Sequence, residues 1–313
     1  MQLYLWQASM KITHLKNKAI DYQRWDKCIA LAHNELVYAY SWYLDVVSPD
    51  WEALVADNYS YVMPLPLKSR YKIPYLVQPV LTQQLGIFSA NDISEEIVKD
   101  FIKEIPYFSY ELALNDCNYN INTDVLPNYI LPLERSYSEL ATAYSKNTHR
   151  NIEKASRLGL NIRQLSADEY IHFYFSVDKH YLSPQQPVLE QLLYKGTEQN
   201  AMELIGVHSA ENKLIAALCM LKSDKRLIYL LPVSNVQGKE SCAMFMLIDK
   251  LIRQHATESK ILDFEGSRIE GVARLYSGFG AKNKPYYILK RFRPSFLVGK
   301  IGPVKRKKKQ INK

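Results

Sequence analysis

Glycine is scarce in this chain, 11 of 313 residues, which excludes collagen-like repeats and long glycine-rich linkers. Cysteine is scarcer still. Cys28, Cys117, Cys219 and Cys242 stand far apart with no C-x-x-C pair, so neither a zinc ribbon nor a disulfide framework is expected, and a reducing, cytoplasmic setting is. No window approaches the ~18–20 apolar residues that span a bilayer. The opening M-Q-L-Y-L-W-Q-A-S-M has no basic leader or long apolar run, so no signal peptide is expected. G-x-S-x-G, G-x-x-x-x-G-K-[ST] and H-E-x-x-H are all missing, and the seven histidines show no metal-ligand spacing. Hydrolase, nucleotide triphosphatase and metalloenzyme readings lose their usual support, and neither a metal nor a permanently bound cofactor is expected.

What is present is globular: 47% hydrophobic and 23% charged residues. The length exceeds one ordinary core, so two domains are expected. Tyrosine is abundant, 23 against 10 phenylalanines. Its ring accepts burial while its hydroxyl seeks a partner, which suits half-buried pocket walls. The formal charge of +8 is concentrated at one end. Residues 299–313 hold seven bases and no acid, leaving 8 − 7 = +1 for the rest. A basic nucleic-acid face over the body is not indicated. The tail itself reads three ways: a solvated terminus, an electrostatic contact for RNA (tRNA included) or anionic lipid, or a specific signal.

Taken in order, residues 11–15 suggest a first strand and 19–31 a helix. The aromatic run Val37 to Asp45 suits either buried packing or a pocket wall. Residues 51–56 and 59–67 read as paired strands joined at Asp57-Asn58, a turn dipeptide. Gln78, Gln83 and Gln84 interrupt an apolar stretch, either satisfying backbone groups or edging a cleft. Residues 94–104 form a helix pattern capped by Ser94. A boundary is expected at residue 135. Beyond it comes a polar helix with bases at Lys146, His149, Arg150, Lys154 and Arg157, which is either a phosphate- or carboxylate-holding stripe or a solvated face. A strand, two helices and a three-strand meander (201–208, 214–221, 226–233) follow. Then come one long helix over 240–256, a strand ending near Phe264, a helix over 270–277 and a closing strand over 285–292. Residues 66–80 also echo 220–233, which favours a duplicated fold.

The stretch the chain is organised around is L-D-F-E-G-S-R-I-E-G-V-A-R-L-Y-S-G-F-G-A, Leu262 to Ala281. A short buried strand ends in Asp263 and Glu265; a helix follows with Val272, Leu275, Tyr276 and Phe279 on one face, and Gly278 and Gly280 stop it. Strand alternation would place Asp263 and Glu265 on the same side, away from Phe264. Two carboxylates so placed serve as a base pair for proton transfer, or else cap the helix and bond Arg268.

A-R-L-Y-S-G-F-G resembles the late motif of GNAT-type N-acyltransferases, and the longer D-F-E-G-S…L-Y-S-G-F-G-A string resembles their FemABX-like branch, whose members carry two GNAT folds in tandem. Arg150-Asn151-Ile152-Glu153-Lys154-Ala155 is similar to that branch's R-N-I-x-K-A helix. The resemblance implies an α/β (α+β) chain of two tandem GNAT-like domains, 1–135 and 136–298, each a mixed, mostly antiparallel sheet flanked by helices, with the donor cleft in the second. It implies acyl or aminoacyl transfer to an amine, from acyl-coenzyme A as co-substrate or from aminoacyl-tRNA, with a cell-wall precursor or another small amine as acceptor. A non-catalytic binder of a small molecule or peptidoglycan precursor is the alternative. Tyr276 matches the position of the GNAT general acid, and Glu265 or Asp263 would be the base. Donor phosphates would meet backbone amides of Val233, Ser234, Asn235, Gln237, Gly238, Lys239 and Ser241, although Ser241 and Cys242 stand where the motif has small glycines. Arg150, Lys154, Tyr229, Ser267 and Arg268 are the expected acceptor contacts.

Overall fold

A computed structural model describes residues 10–119, 124–177 and 185–292. The lysine-rich tail of the sequence and the first nine residues lie outside the described residues. The chain opens with β1 (Ile12–Leu15), α1 (Tyr22–Leu31) and α2 (Ser41–Val47). Asp21 starts α1 by accepting the Arg24 amide, satisfying one of the donors a helix start leaves over. β2 (Glu52–Ala56) and β3 (Tyr61–Leu65) pair antiparallel around the Asp57-Asn58 turn, where both residues are left-handed. Pro66 has no N–H to give the ladder, and there the chain leaves the first sheet. It continues as the hairpin β4 (Leu67–Arg70) and β5 (Ile73–Val77) of a second sheet. β6 (Phe88–Ser89) returns to β3. α3 (Glu95–Lys103) begins at its Ser94 cap, and β7 (Tyr110–Leu114) lies parallel to β5. β8 (Asp124–Leu126) and β9 (Tyr129–Pro132) end this half.

The second half begins with α4 (Tyr137–Thr142), held by a Ser136–Glu139 capping box, and α5 (Lys146–Ser156). β10 (Asn161–Gln164), α6 (Ala167–Val177) and α7 (Gln186–Glu198) lead into the antiparallel meander β11 (Met202–His208), β12 (Leu214–Lys222) and β13 (Arg226–Ser234). The helix expected over 240–256 is α9 (Ala243–His255), which starts after a left-handed Cys242 (φ 56), and the residues before it form a further short helix, α8 (Val236–Glu240). β14 (Ile261–Asp263), α10 (Glu270–Gly278), β15 (Lys282–Asn283) and β16 (Tyr286–Arg291) complete the chain.

These strands make three mostly antiparallel sheets: β1-β2-β3-β6, β4-β5-β7-β16-β8 and β10-β11-β12-β13-β14-β9-β15. Two strands cross the sequence division at residue 135. β9 pairs with β14, Leu131 opposite Leu262, so the free edge of β14 is filled from the first half. The strand expected to close the second sheet therefore lies elsewhere: β16 sits between β7 and β8, with Leu289 opposite Leu112. The cores interlock as well. Trp25, Tyr38, Tyr43 and Trp51 of the first half share one buried cluster with Cys219, Leu221, Ile228 and Leu230 of the meander. The 37–45 run is thus packed, as one of its two readings had it. At about 1.5–3 kcal/mol for each large apolar side chain withdrawn from water, separating the halves would be costly. Among the described residues no helix is long and apolar enough to cross a membrane.

Candidate active site

β13 and β14 run parallel and stay in register over Arg226–Ile261, Leu227–Leu262 and Ile228–Asp263. Then they part. β14 ends at Asp263, whereas β13 continues to Ser234 along β12, with a register shift and a left-handed Leu231 on the way. The chain leaving β14 turns on Glu265, itself left-handed at φ 57, a conformation a glutamate holds only when its surroundings impose it. Those surroundings are visible. Tyr129 donates to the Glu265 carbonyl (3.1 Å) and Phe264 to the Tyr129 carbonyl (2.9 Å). At Gly266 a Cβ would fall 1.9 Å from the Pro127 carbonyl oxygen, so only glycine lets the turn sit there.

The expected alternation does not govern the two carboxylates, since the strand stops at Asp263. Asp263 is buried and its Oδ2 accepts from Arg226 Nη1 at 2.6 Å, rather than from Arg268. Its Oδ1 accepts the Glu265 N–H at 2.9 Å. Asp263 is therefore spent on holding the turn. Tyr38 donates its hydroxyl to Glu265 Oε1 across 227 residues of sequence. Burial pushes the Glu265 carboxyl up, the negative Asp263 adds to this, and the Tyr38 hydrogen bond draws it partly back, leaving it at about 7. Part of Glu265 still reaches solvent.

Tyr276 lies on α10 beside this turn. Its ring stacks on Phe264 (centroids 4.8 Å, planes 22° apart) and meets Tyr229 and Tyr129, each at 6.0 Å. Burial and the two nearby carboxylates keep its hydroxyl protonated well above the usual range, and no protein hydrogen bond to that hydroxyl is seen among the described residues. α10 is fixed at its far end, where Thr148 Oγ1 donates to the Gly278 carbonyl at 2.9 Å. A Cβ on Gly278 would come within 2.6 Å of that same oxygen. The turn thus sets a carboxyl that burial raises to about 7 near a phenol that burial keeps protonated.

The other expected contacts are more dispersed. Asn235 caps α8 through its Oδ1, which accepts the Gly238 amide at 2.9 Å, and its carbonyl takes the Lys239 amide. Gln237 and Lys239 carbonyls accept from Ser241 and Cys242. A Cβ at Gly238 would lie 2.1 Å from the Ile215 carbonyl, so α8 is pressed onto β12. The Asn235, Gly238, Lys239 and Ser241 amides already have partners, and Val233 is buried while Ser234 pairs with Ala216. Arg150 and Lys154 lie on the exposed face of α5, with Arg150 donating to Asn147. Ser267 Oγ accepts the Ile269 amide at 3.0 Å, Arg268 is exposed, and Tyr229 donates to Met244 Sδ at 3.2 Å.

Two residues at this site escape sequence reasoning, Tyr38 and Arg226. Tyr38 belonged to an aromatic run with a pocket-wall reading, but nothing in the sequence ties it to Glu265. Two surface clefts lie apart from Glu265: one of about 550 Å³ between α6 and α7, lined by Asp168, His172, Glu190 and Tyr194, and one of about 410 Å³ beside α1.

No family model matches the chain, and no curated protein matches its sequence. Solved structures do match in fold. FemX superposes with a TM-score of 0.64 at 12% identity, covering 93% of this chain and all of its own. A conserved protein of unknown function from Bacteroides thetaiotaomicron gives 0.56 at 12% identity over 87% of this chain and 98% of its own. L-PGS from Bacillus licheniformis gives 0.50 at 10% identity over 82% and 89%. With its two halves, its parallel pair splayed at the end of a meander and its crossed strands, the chain has a FemX-like, GNAT-related tandem fold.

Proposed function

We propose that the chain transfers an acyl or aminoacyl group from an activated donor to an amine, with Glu265 as general base and Tyr276 as general acid. The observation that carries this reading is the Glu265 carboxyl just past the end of β14, bonded by the Tyr38 hydroxyl on a turn that Asp263 holds, with the Tyr276 ring stacked on the adjacent Phe264. An amine nitrogen attacks the donor carbonyl and passes its proton to Glu265. As the new C–N bond forms, the C–O or C–S bond to the carrier breaks, and Tyr276 supplies the proton to the leaving oxygen or sulfur. Glu265 then releases its proton to solvent, and Tyr276 takes one back from solvent.

The donor is the finer question. Asn235 takes the Gly238 and Lys239 amides and Gly238 is pressed onto the Ile215 carbonyl, which favours aminoacyl-tRNA over coenzyme A thioesters and a cytoplasmic reaction. A cell-wall precursor amine is the acceptor class the FemX-like fold suggests, and Arg150 and Lys154 would meet its anionic groups. The capped α8 equally favours the second reading, a precursor-binding protein without turnover.

Radiolabelled aminoacyl-tRNA and acetyl-coenzyme A, offered separately with a panel of amines that includes nucleotide-linked cell-wall precursors, separate these cases. Transfer that falls about 10²–10⁴-fold in Glu265→Gln, with an unchanged circular dichroism spectrum, is the expected result. Full transfer by the variant removes Glu265 as base. Absence of transfer from every donor, beside calorimetric binding of a precursor, selects the binding protein.

A further inference from the structure

Of the glutamines that interrupt the apolar stretch after β5, Gln78 serves the backbone. Its Oε1 accepts the Ala113 amide and its Nε2 donates to the Thr82 carbonyl. The side chains of Gln83 and Gln84 bond no backbone group among the described residues. Gln84 Nε2 donates to Gln83 Oε1 at 2.6 Å, and Gln83 Nε2 donates to Asn128 Oδ1 at 3.2 Å. Gln84 and Asn128 are 1% and 0% exposed, so the Gln83 amide is held at both ends by groups that cannot move aside. The arrangement is unfavourable in itself. Gln84 Oε1 and Asn128 Nδ2 are buried without a hydrogen-bond partner among the described residues, at about 1–3 kcal/mol for each such group. Orphaned atoms on both sides of one amide mark an orientation that the fold keeps although it lowers stability.

That amide stands beside the turn that carries Glu265. A Cβ on Gly266 would fall 3.2 Å from Gln83 Nε2, and Asn128 precedes Tyr129, whose amide donates to the Glu265 carbonyl. The segment bearing Gln83 is tied to the same centre from another side. Tyr38, the partner of Glu265, meets the Tyr43 ring edge-on. Tyr43 in turn donates its hydroxyl to the carbonyl of Leu81, which is left-handed at φ 59. Glu265, Tyr38, Tyr43, Leu81, Gln83 and Gly266 thus form a closed circuit. Gln83 and Glu265 are partly exposed and Gly266 is exposed, so solvent reaches this side of the turn. A side-chain amide nitrogen carries two hydrogens. One on Gln83 goes to Asn128, and the other has no acceptor among the described residues.

We propose that Gln83 is a catalytic residue of the transfer, its free N–H donating to the acyl carbonyl oxygen of the donor. This role rests on the proposed reaction, in which Glu265 and Tyr276 handle protons and no group yet holds that oxygen. When the amine nitrogen adds to the carbonyl carbon, the C=O electron pair moves onto oxygen. An N–H already fixed in place stabilises the charge there without reorienting. The pair returns as the C–O or C–S bond to the carrier breaks. Gln84 and Asn128 are positioning residues, which act by keeping the Gln83 nitrogen on the Gly266 side.

Steady-state kinetics with the donor that the parent accepts, aminoacyl-tRNA or acetyl-coenzyme A, test this. Gln83→Met keeps the length of the side chain without its N–H, and kcat is expected to fall about 10²–10³-fold with KM little changed. The rising limb of the pH–rate profile stays where the parent has it, because Gln83 acts on the carbonyl oxygen and not on the base. A loss caused by a disturbed turn would move that limb. Gln84→Met, which leaves Gln83 free to rotate, lowers kcat by less. Thermal melts check folding, and Gln83→Glu, which keeps the shape and replaces the N–H by an oxygen, gives a second reading of the same loss. Gln83 variants that transfer at the parent's rate, or that lose rate only with a shifted pH profile, overturn the assignment and leave the transfer reading in place. A parent that transfers from neither donor overturns both.

Discussion

In the first half β5 and β7 run parallel with α3 on the connection between them; in the second, β13 and β14 do so with α9 between. Beyond these parallel pairs the two junctions diverge. In the first, the segment after β5 stitches the gap closed. Gln78 donates its amide to the Glu111 carbonyl and accepts from Ala113, Leu85 and Ala113 are bonded at 2.7 Å, and Asn115 and Asn118 side chains donate to the Ile87 carbonyl. Gly86, at φ +98, leaves no room for a Cβ beside Asn118, whose Oδ1 would be 2.2 Å away. In the second, Glu265 follows directly after the end of β14 and takes the Tyr38 hydroxyl from the other half. A repeated junction thus serves as a brace in one copy and as a candidate reaction centre in the other, and what separates them is which polar groups fill the splay.

The strongest test of that contrast removes Arg226. Its guanidinium is buried against Asp263, and Arg226→Leu leaves that carboxylate without its cation, which costs about 3–5 kcal/mol in urea unfolding. A loss under about 1 kcal/mol would mean the pair is solvated and the turn is held by its backbone bonds alone. Next in size is a pH effect on stability. The Glu265 carboxyl rises on folding from the ordinary glutamate value near 4.5 to about 7. Between those values the unfolded chain has released a proton the folded chain keeps, so stability falls as pH rises through this window and levels off above it. A difference of about 1–3 kcal/mol between pH 4.5 and 7.5, absent in Glu265→Gln, is the expected outcome. A slope that persists in the variant would assign it to other groups.

The sequence showed which elements exist better than it showed where they go. The Ser94 cap, the Asp57-Asn58 turn, the meander and the strand–helix unit around Glu265 and Tyr276 rest on local chemistry, and local chemistry is written in neighbouring residues. The exchange of β9 and β16 is not. Both strands alternate or run apolar as any strand does, and only competition for the free edges of β14 and β7 decides their partners. Cys242 likewise reads as helical, because a left-handed residue between two helices leaves no mark that composition reveals. At the site, Tyr276 and Glu265 were legible through a motif, whereas the pairing of Asp263 with Arg226 required knowing the parallel register of β13 and β14.

Tyr38→Phe makes the smallest change and bears most directly on the contrast between the halves. It deletes one hydroxyl from a buried ring and leaves the edge-on contact with Tyr43 in place (centroids 5.5 Å, planes 74° apart), so the stability cost is about 0.5–1.5 kcal/mol. Its effect on Glu265 has a definite sign. The hydroxyl stabilises the ionised carboxyl, and without it the carboxyl titrates above about 7. A carbon NMR titration of the Glu265 carboxyl should move upward in the variant, and the rising limb of the pH–rate profile should move with it, since a base acts only when ionised. A purely structural Tyr38 would lower stability and leave both midpoints in place. If the NMR midpoint shifts and the rate profile does not, Tyr38 still tunes the carboxyl, but Glu265 is not the base. If neither moves, the first half contributes packing to the second junction and no control over its chemistry.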